Sequence, residues 1–364
     1  MQSVLILAQL PPPVHGVTVM TKSIHDYLSD ASDISIAQQW AGGAEDLGDI
    51  GARRIRKVAE FAWFAASLLA RPVHTRQRAD VAYVTMAPWA AAAIRDAALA
   101  TLAQRLACRT LLHVHGEGLD EIVSGKTRRS RLMRRLLRGS EVIAITSKCA
   151  EVAKASGLFT RVWLLPNFAP DPGSPARQAG PTLVAGYFAN LDPRKGLLRF
   201  VSAIAAARSA NLPVRAVIAG AETRQMTYAA LEALVAREGV QDVVEIKKPP
   251  LDKDGFFRQL DCFVYPTEHD HAPLVLLEAM SHGVAPITCD TGGIAEIMGP
   301  GLAENVVPAR LSDNERNALI VARIATYAND PSALSAARDA ARRRFLGNYT
   351  EARFRRVLDE IIRG

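Results

Sequence analysis

EHDHAPLVLLEAM, Glu268 to Met280, joins an acidic, imidazole-bearing front half to an aliphatic run that ends in the carboxylate Glu278. The preceding CFVYP reads as a strand, and PLVLLEAMSHG reads as a helix stopped by Gly283. The acidic residues then sit at the carboxyl end of a strand, where open α/β sheets bind ligands. The first helical amides, Leu274 and Val275, have no intrahelical acceptor, which makes them a phosphate site by the physics of helix N-termini. Glu278, one turn on, is placed to accept hydrogen bonds from a ribose diol; capping or pairing within the fold is the alternative reading of the same residue.

The pattern around this stretch repeats. TLVAGYFA, VRAVIAG, VVEIKK, CFVYP and VAPITCD are short apolar runs separated by helical patterns. Upstream, SVLILAQ (Ser3–Gln9), DVAYVTM (Asp80–Met86), TLLHVHG (Thr110–Gly116), EVIAIT (Glu141–Thr146) and RVWLLPN (Arg161–Asn167) form a first set, with a helical pattern from Val17 to Leu28 after the first run. Continuous apolar strands between helices indicate parallel sheets covered on both faces. Between the sets lies FAPDPGSPARQAGP (Phe168–Pro181), rich in Pro, Gly and Ala. We therefore expect an α/β chain of two Rossmann-like domains facing across a cleft: 1–170, a linker at 171–181, 182–345, and a final helix at 346–364 that packs back on the first domain.

The chain has 364 residues, enough for two domains of ordinary size, with 49% hydrophobic and 22% charged residues. No apolar stretch reaches the roughly 18 residues that span a bilayer, and the amino terminus lacks the basic region of a signal peptide, so a cytoplasmic protein is expected. The four cysteines, Cys108, Cys149, Cys262 and Cys289, form no CxxC pair and read as reduced structural residues. A net charge of +7 favours anionic partners. Part of it lies in TRRSRLMRRLLR (Thr127–Arg138), where six arginines are interleaved with Leu132, Met133, Leu136 and Leu137. Arginines and apolar residues are expected on opposite sides of a basic amphipathic helix, with FAWFAASLLARP (Phe61–Pro72) as an apolar neighbour in sequence. The arginines are not interleaved with aromatics and no nucleic-acid-binding signature accompanies them, so no nucleic acid partner is expected. No GxGxxG follows a strand, which argues against a nicotinamide enzyme.

DHAPLVLLEAM and the downstream CDTGGIAEIM resemble the E-x7-E motif and Gly-Gly loop of retaining glycosyltransferases of the GT-B fold, in the large family 4. Leu274–Met280, Gly292, Gly293 and Glu296 match closely. Asp270 stands where the first Glu belongs, one methylene shorter, with Glu268 as a substitute; His271 replaces a Gly and Ala272 an aromatic. The resemblance implies that the first acid lies by the transferred sugar and that Glu278 holds the nucleotide ribose. FANLDPRKGLLRF (Phe188–Phe200) resembles the family's G-R-L-x-x-x-K-G segment. Lys195 then matches the lysine that neutralises the donor diphosphate, and Asn190 stands in place of the usual arginine, an amide without its charge. Arg194 is out of register. VEIKKPP departs from the family's base-binding strand at Lys248 and Pro249, so the base stays open.

In the first domain, PPPVHGVTVM (residues 11–20) puts Gly16 at the start of a helix, where the missing Cβ lets backbone approach a phosphate; a simple turn is the alternative. It resembles the family's N-terminal glycine loop. In LLHVHGEG, His113 and His115 are taken to face opposite sides, and no acid-and-His cluster completes a metal set. His115 matches the family's His-Gly turn, whose histidine contacts the donor sugar; His113 suits a hydrogen-bonded core histidine.

The resemblance implies a metal-independent hexosyltransferase, with a nucleoside-diphosphate sugar as donor substrate and no cofactor. His115 and Asp270 would be catalytic, and Gly16, Asn190, Lys195, Leu274, Val275 and Glu278 would bind donor. The expected acceptor is a saccharide or lipid-linked saccharide in bacterial surface polysaccharide assembly. The arginine-rich helix Arg128–Arg138 would give peripheral contact with the inner face of the cytoplasmic membrane. Asn190 and Asp270 also motivate the alternative of a degenerate GT-B protein that binds nucleotide or glycan without transfer.

Overall fold

The computed structural model describes residues 1–12, 14–39, 63, 64, 66, 78–173 and 180–364. The apolar run 61–72, except 63, 64 and 66, and the central part of the expected linker, 174–179, lie outside the described residues. The chain divides into two compact units, Met1–Asn167 with Arg355–Gly364, and Phe168–Phe354.

The first unit is built on β1 (Gln2–Leu7), β2 (Ile34–Gln39), β3 (Ala79–Met86), β4 (Ala107–Val114), β5 (Glu141–Ala144) and β6 (Val162–Leu164). They pair in parallel in the order β2-β1-β3-β4-β5-β6. Helices α1 (Gly16–Asp30), α2 (Ala90–Leu106), α3 (Leu119–Ser124), α4 (Arg128–Leu137) and α5 (Ser147–Ala155) connect them. The start of each of the last two is fixed by a threonine hydroxyl: Thr127 accepts from the Ser130 N–H, and Thr146 from the Cys149 N–H. Both faces of the sheet are covered, since Val4, Leu5, Ile6 and Leu7 are all buried. The unit also holds the chain's end. Gln2 donates to the Ile362 carbonyl, Tyr27 to Asp359, and Arg109 to the carbonyls of Ile361 and Ile362.

The second unit is built on β7 (Leu183–Phe188), β8 (Val214–Ala219), β9 (Val244–Lys247), β10 (Cys262–Tyr265), β11 (Ala285–Cys289) and β12 (Val306–Val307). They form a second parallel sheet in the order β12-β11-β10-β7-β8-β9. Helices α6 (Leu197–Ser209), α7 (Tyr228–Arg237), α8 (Lys253–Arg258), α9 (Leu274–Ser281), α10 (Ile294–Met298), α11 (Asp313–Asn329) and α12 (Pro331–Asn348) pack around it, and α13 (Glu351–Arg363) ends the chain. Ser312 and Glu315 cap α11 reciprocally, and Asp330 followed by Pro331 starts α12. Strand order reverses between β7 and β10, which are neighbours although far apart in sequence. The carboxyl ends of these two strands therefore flank the switch point where ligands bind in such sheets.

Candidate active site

The two loops leaving that switch point carry the sequence's main candidates, and they meet. Lys195 Nζ lies 2.7 Å from Asp270 Oδ2 and donates also to the His269 carbonyl at 3.2 Å. The meeting is forced by glycine. Gly196 has φ of +83°, and a Cβ there would lie 2.1 Å from the Pro266 carbonyl oxygen, so only a bare Cα lets the loop after β7 close onto the end of β10. The single turn Pro193–Lys195 that precedes it is capped by Asp192, whose carboxylate accepts from the Arg194 N–H. Asp192 also binds the Arg194 guanidinium at 2.7 Å, so Arg194 is engaged locally and the ammonium of Lys195 faces the acid segment. Asn190 is exposed, and its side chain makes no hydrogen bond among the described residues.

The wiring separates the two acids that the sequence leaves as alternatives. Glu268 binds the Arg199 guanidinium at 2.7 Å. Arg199 is buried, also holds Asp313 at 2.7 Å and donates to the Pro266 carbonyl. Glu268 thus belongs to a network that anchors the loop. Asp270 accepts from the Tyr265 hydroxyl at 2.6 Å and from the His271 N–H at 3.1 Å, and faces Lys195. Burial, and then the neighbouring Asp270 charge, hold the Tyr265 phenol well above its usual range, so it stays a donor. Neither Tyr265 nor Arg199 stands out in the sequence, where they read as a strand aromatic and a helix arginine.

The amides of Leu274 and Val275 open α9 and donate to no acceptor among the described residues. Glu278 Oε1 binds Lys253 Nζ at 2.7 Å, and Oε2 is buried without a partner among the described residues. Lys253, the third residue that sequence reasoning misses, lies at the start of α8, 5.5 Å over the Phe188 ring. The Gly-Gly loop closes the other side. Gly292 has φ of +58°, a Cβ there would lie 2.2 Å from the Asp270 carbonyl oxygen, and the Gly293 N–H donates to the His271 carbonyl at 2.7 Å. One unit therefore gathers a lysine, a carboxylate, two free amides and a half-satisfied carboxylate at the carboxyl ends of adjacent strands, the donor and acceptor set that suits a diphosphate and a diol.

In the first unit Gly16 is the exposed first residue of α1, and the His15 N–H donates to Thr18 Oγ1 at 3.1 Å. The expectation that His113 and His115 face opposite sides is wrong. Their ring centroids are 3.9 Å apart, because residues two apart on a strand return to the same face. His113 is fully buried at the end of β4, with Nδ1 2.7 Å from the Tyr83 hydroxyl. Burial, and then His115, hold its pKa well below the usual value. His115, just past the strand, is also buried. The helix α4 departs from a clean two-sided pattern. Leu132 is 52% exposed, and Arg134 turns inward to donate to the carbonyls of Ile122, Val123 and Gly125. It satisfies acceptors that α3 leaves open at its carboxyl end. No helix of the described residues is long and apolar enough to cross a membrane.

Residues 182–329 match the family of glycosyl transferases group 1. Over 120 residues the chain is 31% identical to a GDP-mannose:cellobiosyl-diphosphopolyprenol alpha-mannosyltransferase of Xanthomonas campestris, covering 32% of this chain and 31% of that one. Over 168 residues it is 29% identical to the lipopolysaccharide core biosynthesis mannosyltransferase LpcC of Rhizobium leguminosarum bv. viciae, covering 46% of each. The chain thus spans less than half the length of the curated relatives it matches. In three dimensions it resembles the sucrose-phosphate synthase of Thermosynechococcus elongatus, with a TM-score of 0.73 and 14% identity over 100% of this chain and 98% of that one. The fold is GT-B, two Rossmann-like parallel-sheet units, and residues 182–329 of the second unit are similar to group 1 glycosyl transferases.

Proposed function

We propose that the protein is a retaining glycosyltransferase that moves a hexosyl group from a nucleoside-diphosphate sugar to a saccharide or lipid-linked saccharide in bacterial surface polysaccharide assembly. The observation that carries this reading is Lys195, held against Asp270 beside the free amides of Leu274 and Val275. When the anomeric C–O bond breaks, charge moves onto the leaving diphosphate. Lys195, the two amides and the positive end of α9 stabilise that charge in the transition state, so no metal ion is assigned to the step. In front-face attack the acceptor hydroxyl oxygen forms the new bond to the anomeric carbon, and its proton passes to the leaving phosphate oxygen. Glu278 holds the ribose diol, through the oxygen now without a partner and the one now on Lys253. Asp270 orients the sugar, and Asn190 adds a donor contact.

The relatives' names supply the substrate class: a mannosyl donor and a diphosphopolyprenol-linked acceptor in one case, lipopolysaccharide core in the other. An acceptor of that kind sits at a membrane, and the arginines along α4 with exposed Leu132 suit peripheral contact with an anionic leaflet.

The test is thermal unfolding with UDP, GDP and ADP, for the native protein and for Lys195→Ala. A nucleotide at 100 times its dissociation constant adds about 2.7 kcal/mol, which is about 5–10 °C for a domain of 150–250 residues. One nucleotide should give that shift and Lys195→Ala should abolish it. A shift with none of them, or one that Lys195→Ala keeps, would overturn the reading.

A further inference from the structure

Away from the strand carboxyl ends, the first unit has a concavity of about 680 Å³ lined by Lys126, Arg131, Arg134 and Arg138, with Ser124 and Ser156 among the remaining wall residues. Its position follows from the chain path. Arg138 leads directly into β5, and Ser156 lies in the turn between α5 and β6. The concavity is therefore at the amino ends of these strands, whereas His115 follows the carboxyl end of β4.

We propose that this concavity is a second anion site, built for a phosphate group and separate from the donor site. Four cationic side chains line it and no carboxylate does. Several other exposed arginines of the chain are matched by acids: Arg194 by Asp192, Arg208 by Asp242, Arg258 by Asp254, Arg363 by Asp33. Lys126, Arg131 and Arg138 have no such match among the described residues. Three unmatched cations around one hollow repel one another unless an anion joins them. Arg134 gives the site its rigidity. One of its terminal nitrogens is bound to the carbonyls of Ile122, Val123 and Gly125, which ties the loop carrying Lys126 to the helix that carries Arg131 and ends at Arg138. The Ser130 hydroxyl reinforces the same tie by donating to the Glu121 carbonyl at 3.1 Å. Arginine forks and a lysine around a hollow match the geometry of phosphate oxygens. The phosphate comes either from a soluble phosphate compound or from a lipid headgroup, and both present the same oxygens to the site.

The site is tested by binding, so the result does not depend on sugar transfer. Inorganic pyrophosphate is titrated calorimetrically into Lys195→Ala, whose donor site is disabled, and into Lys195→Ala carrying Arg131→Gln and Arg138→Gln. In parallel, flotation with vesicles of phosphatidylglycerol is compared with neutral phosphatidylcholine vesicles for the native protein and for Arg131→Gln/Arg138→Gln. An unchanged thermal midpoint shows that the substituted proteins fold. Saturable pyrophosphate binding that weakens at least tenfold on losing the two arginines assigns a soluble phosphate ligand. Retention by anionic vesicles alone, lost in the double variant, assigns a headgroup. Absence of binding in both arms, or binding that the two arginines leave unchanged, refutes the site.

Discussion

Gly196→Ala separates the role of glycine as a fold element from its role in setting the site. The residue has φ of +83°, and an added Cβ would lie 2.1 Å from the Pro266 carbonyl oxygen and 2.5 Å from its carbon. Positive φ alone costs an alanine about 1–2 kcal/mol. The contact adds a displacement, because backbone atoms do not yield as a flexible side-chain tip does. Relieving it moves either the turn that carries Lys195 or the end of β10 by about 1 Å, and a shift of that size in a catalytic arrangement costs about 100-fold in rate. The Lys195–Asp270 contact of 2.7 Å is the feature that shift breaks. Gly239 supplies the control. Its φ is +69°, and nothing lies within 4 Å of its added Cβ. Gly239→Ala should pay the backbone strain alone. Urea unfolding should show Gly239→Ala destabilised by about 1–2 kcal/mol and Gly196→Ala by more, and calorimetric titration of the stabilising nucleoside diphosphate should show affinity lost only in Gly196→Ala. A Gly196→Ala protein with native affinity, or a Gly239→Ala protein that loses as much, would refute the argument.

Two further outcomes follow from the first unit. His113 is buried and its pKa is held well below the usual value, so below about pH 6.5 the unfolded chain takes up a proton that the folded one refuses. Stability should therefore fall as pH falls from about 7 towards 5, with a slope of up to about 1.4 kcal/mol per pH unit from this residue, and urea unfolding of His113→Gln across that range should show a flatter slope; an unaltered slope would remove His113 as its source. Arg134→Gln strips a charged donor from three helix-end carbonyls and should cost about 1.5–3 kcal/mol, against a change within about 0.5 kcal/mol for exposed Arg135→Gln; equal urea midpoints for the two would show that the inward turn of Arg134 contributes nothing.

The most legible strands are those buried on both faces, such as VLIL at Val4–Leu7, because continuous apolar runs between helices have few other structures open to them; the edge strands Val162–Leu164 and Val244–Lys247 are legible from their apolar residues alone. The two strands that were not legible lie at sheet edges. ISIAQQ at Ile34–Gln39 mixes polar residues with apolar ones, and Val306–Val307 is too short to carry a period. The site divides in the same way. Lys195, Asp270, Glu278 and Glu268 sit in patterned segments and could be named, but the side chains that hold them, Tyr265, Lys253 and Arg199, come from residue types common in any strand or helix start. Sequence spacing gives no register across the sheet, and it is the pairing of β10 with β7 that brings Lys195 to Asp270 and Arg199 to Glu268. The two histidines show the opposite limit: a spacing of two suffices to put them on one face, and the expectation of opposite faces has the wrong parity.

The choice between Glu268 and Asp270 turns on what each would do when a diphosphate arrives. Under the transferase reading, Lys195 must leave Asp270 for the phosphate oxygens, because a lysine cannot serve both at full strength. A carboxylate held by that lysine alone would then be released at the moment its position matters. Asp270 is not so held, since the Tyr265 hydroxyl and the His271 N–H keep both its oxygens in place. The Gly292 approach fixes the backbone beneath it. Glu268 has no comparable freedom: releasing it from Arg199 would disturb the bridge to Asp313 and the anchor at the Pro266 carbonyl, on which Gly196 also packs. Under that reading the shorter acid takes the first position because its neighbours hold it there without Lys195, and the longer acid serves the loop that carries them both.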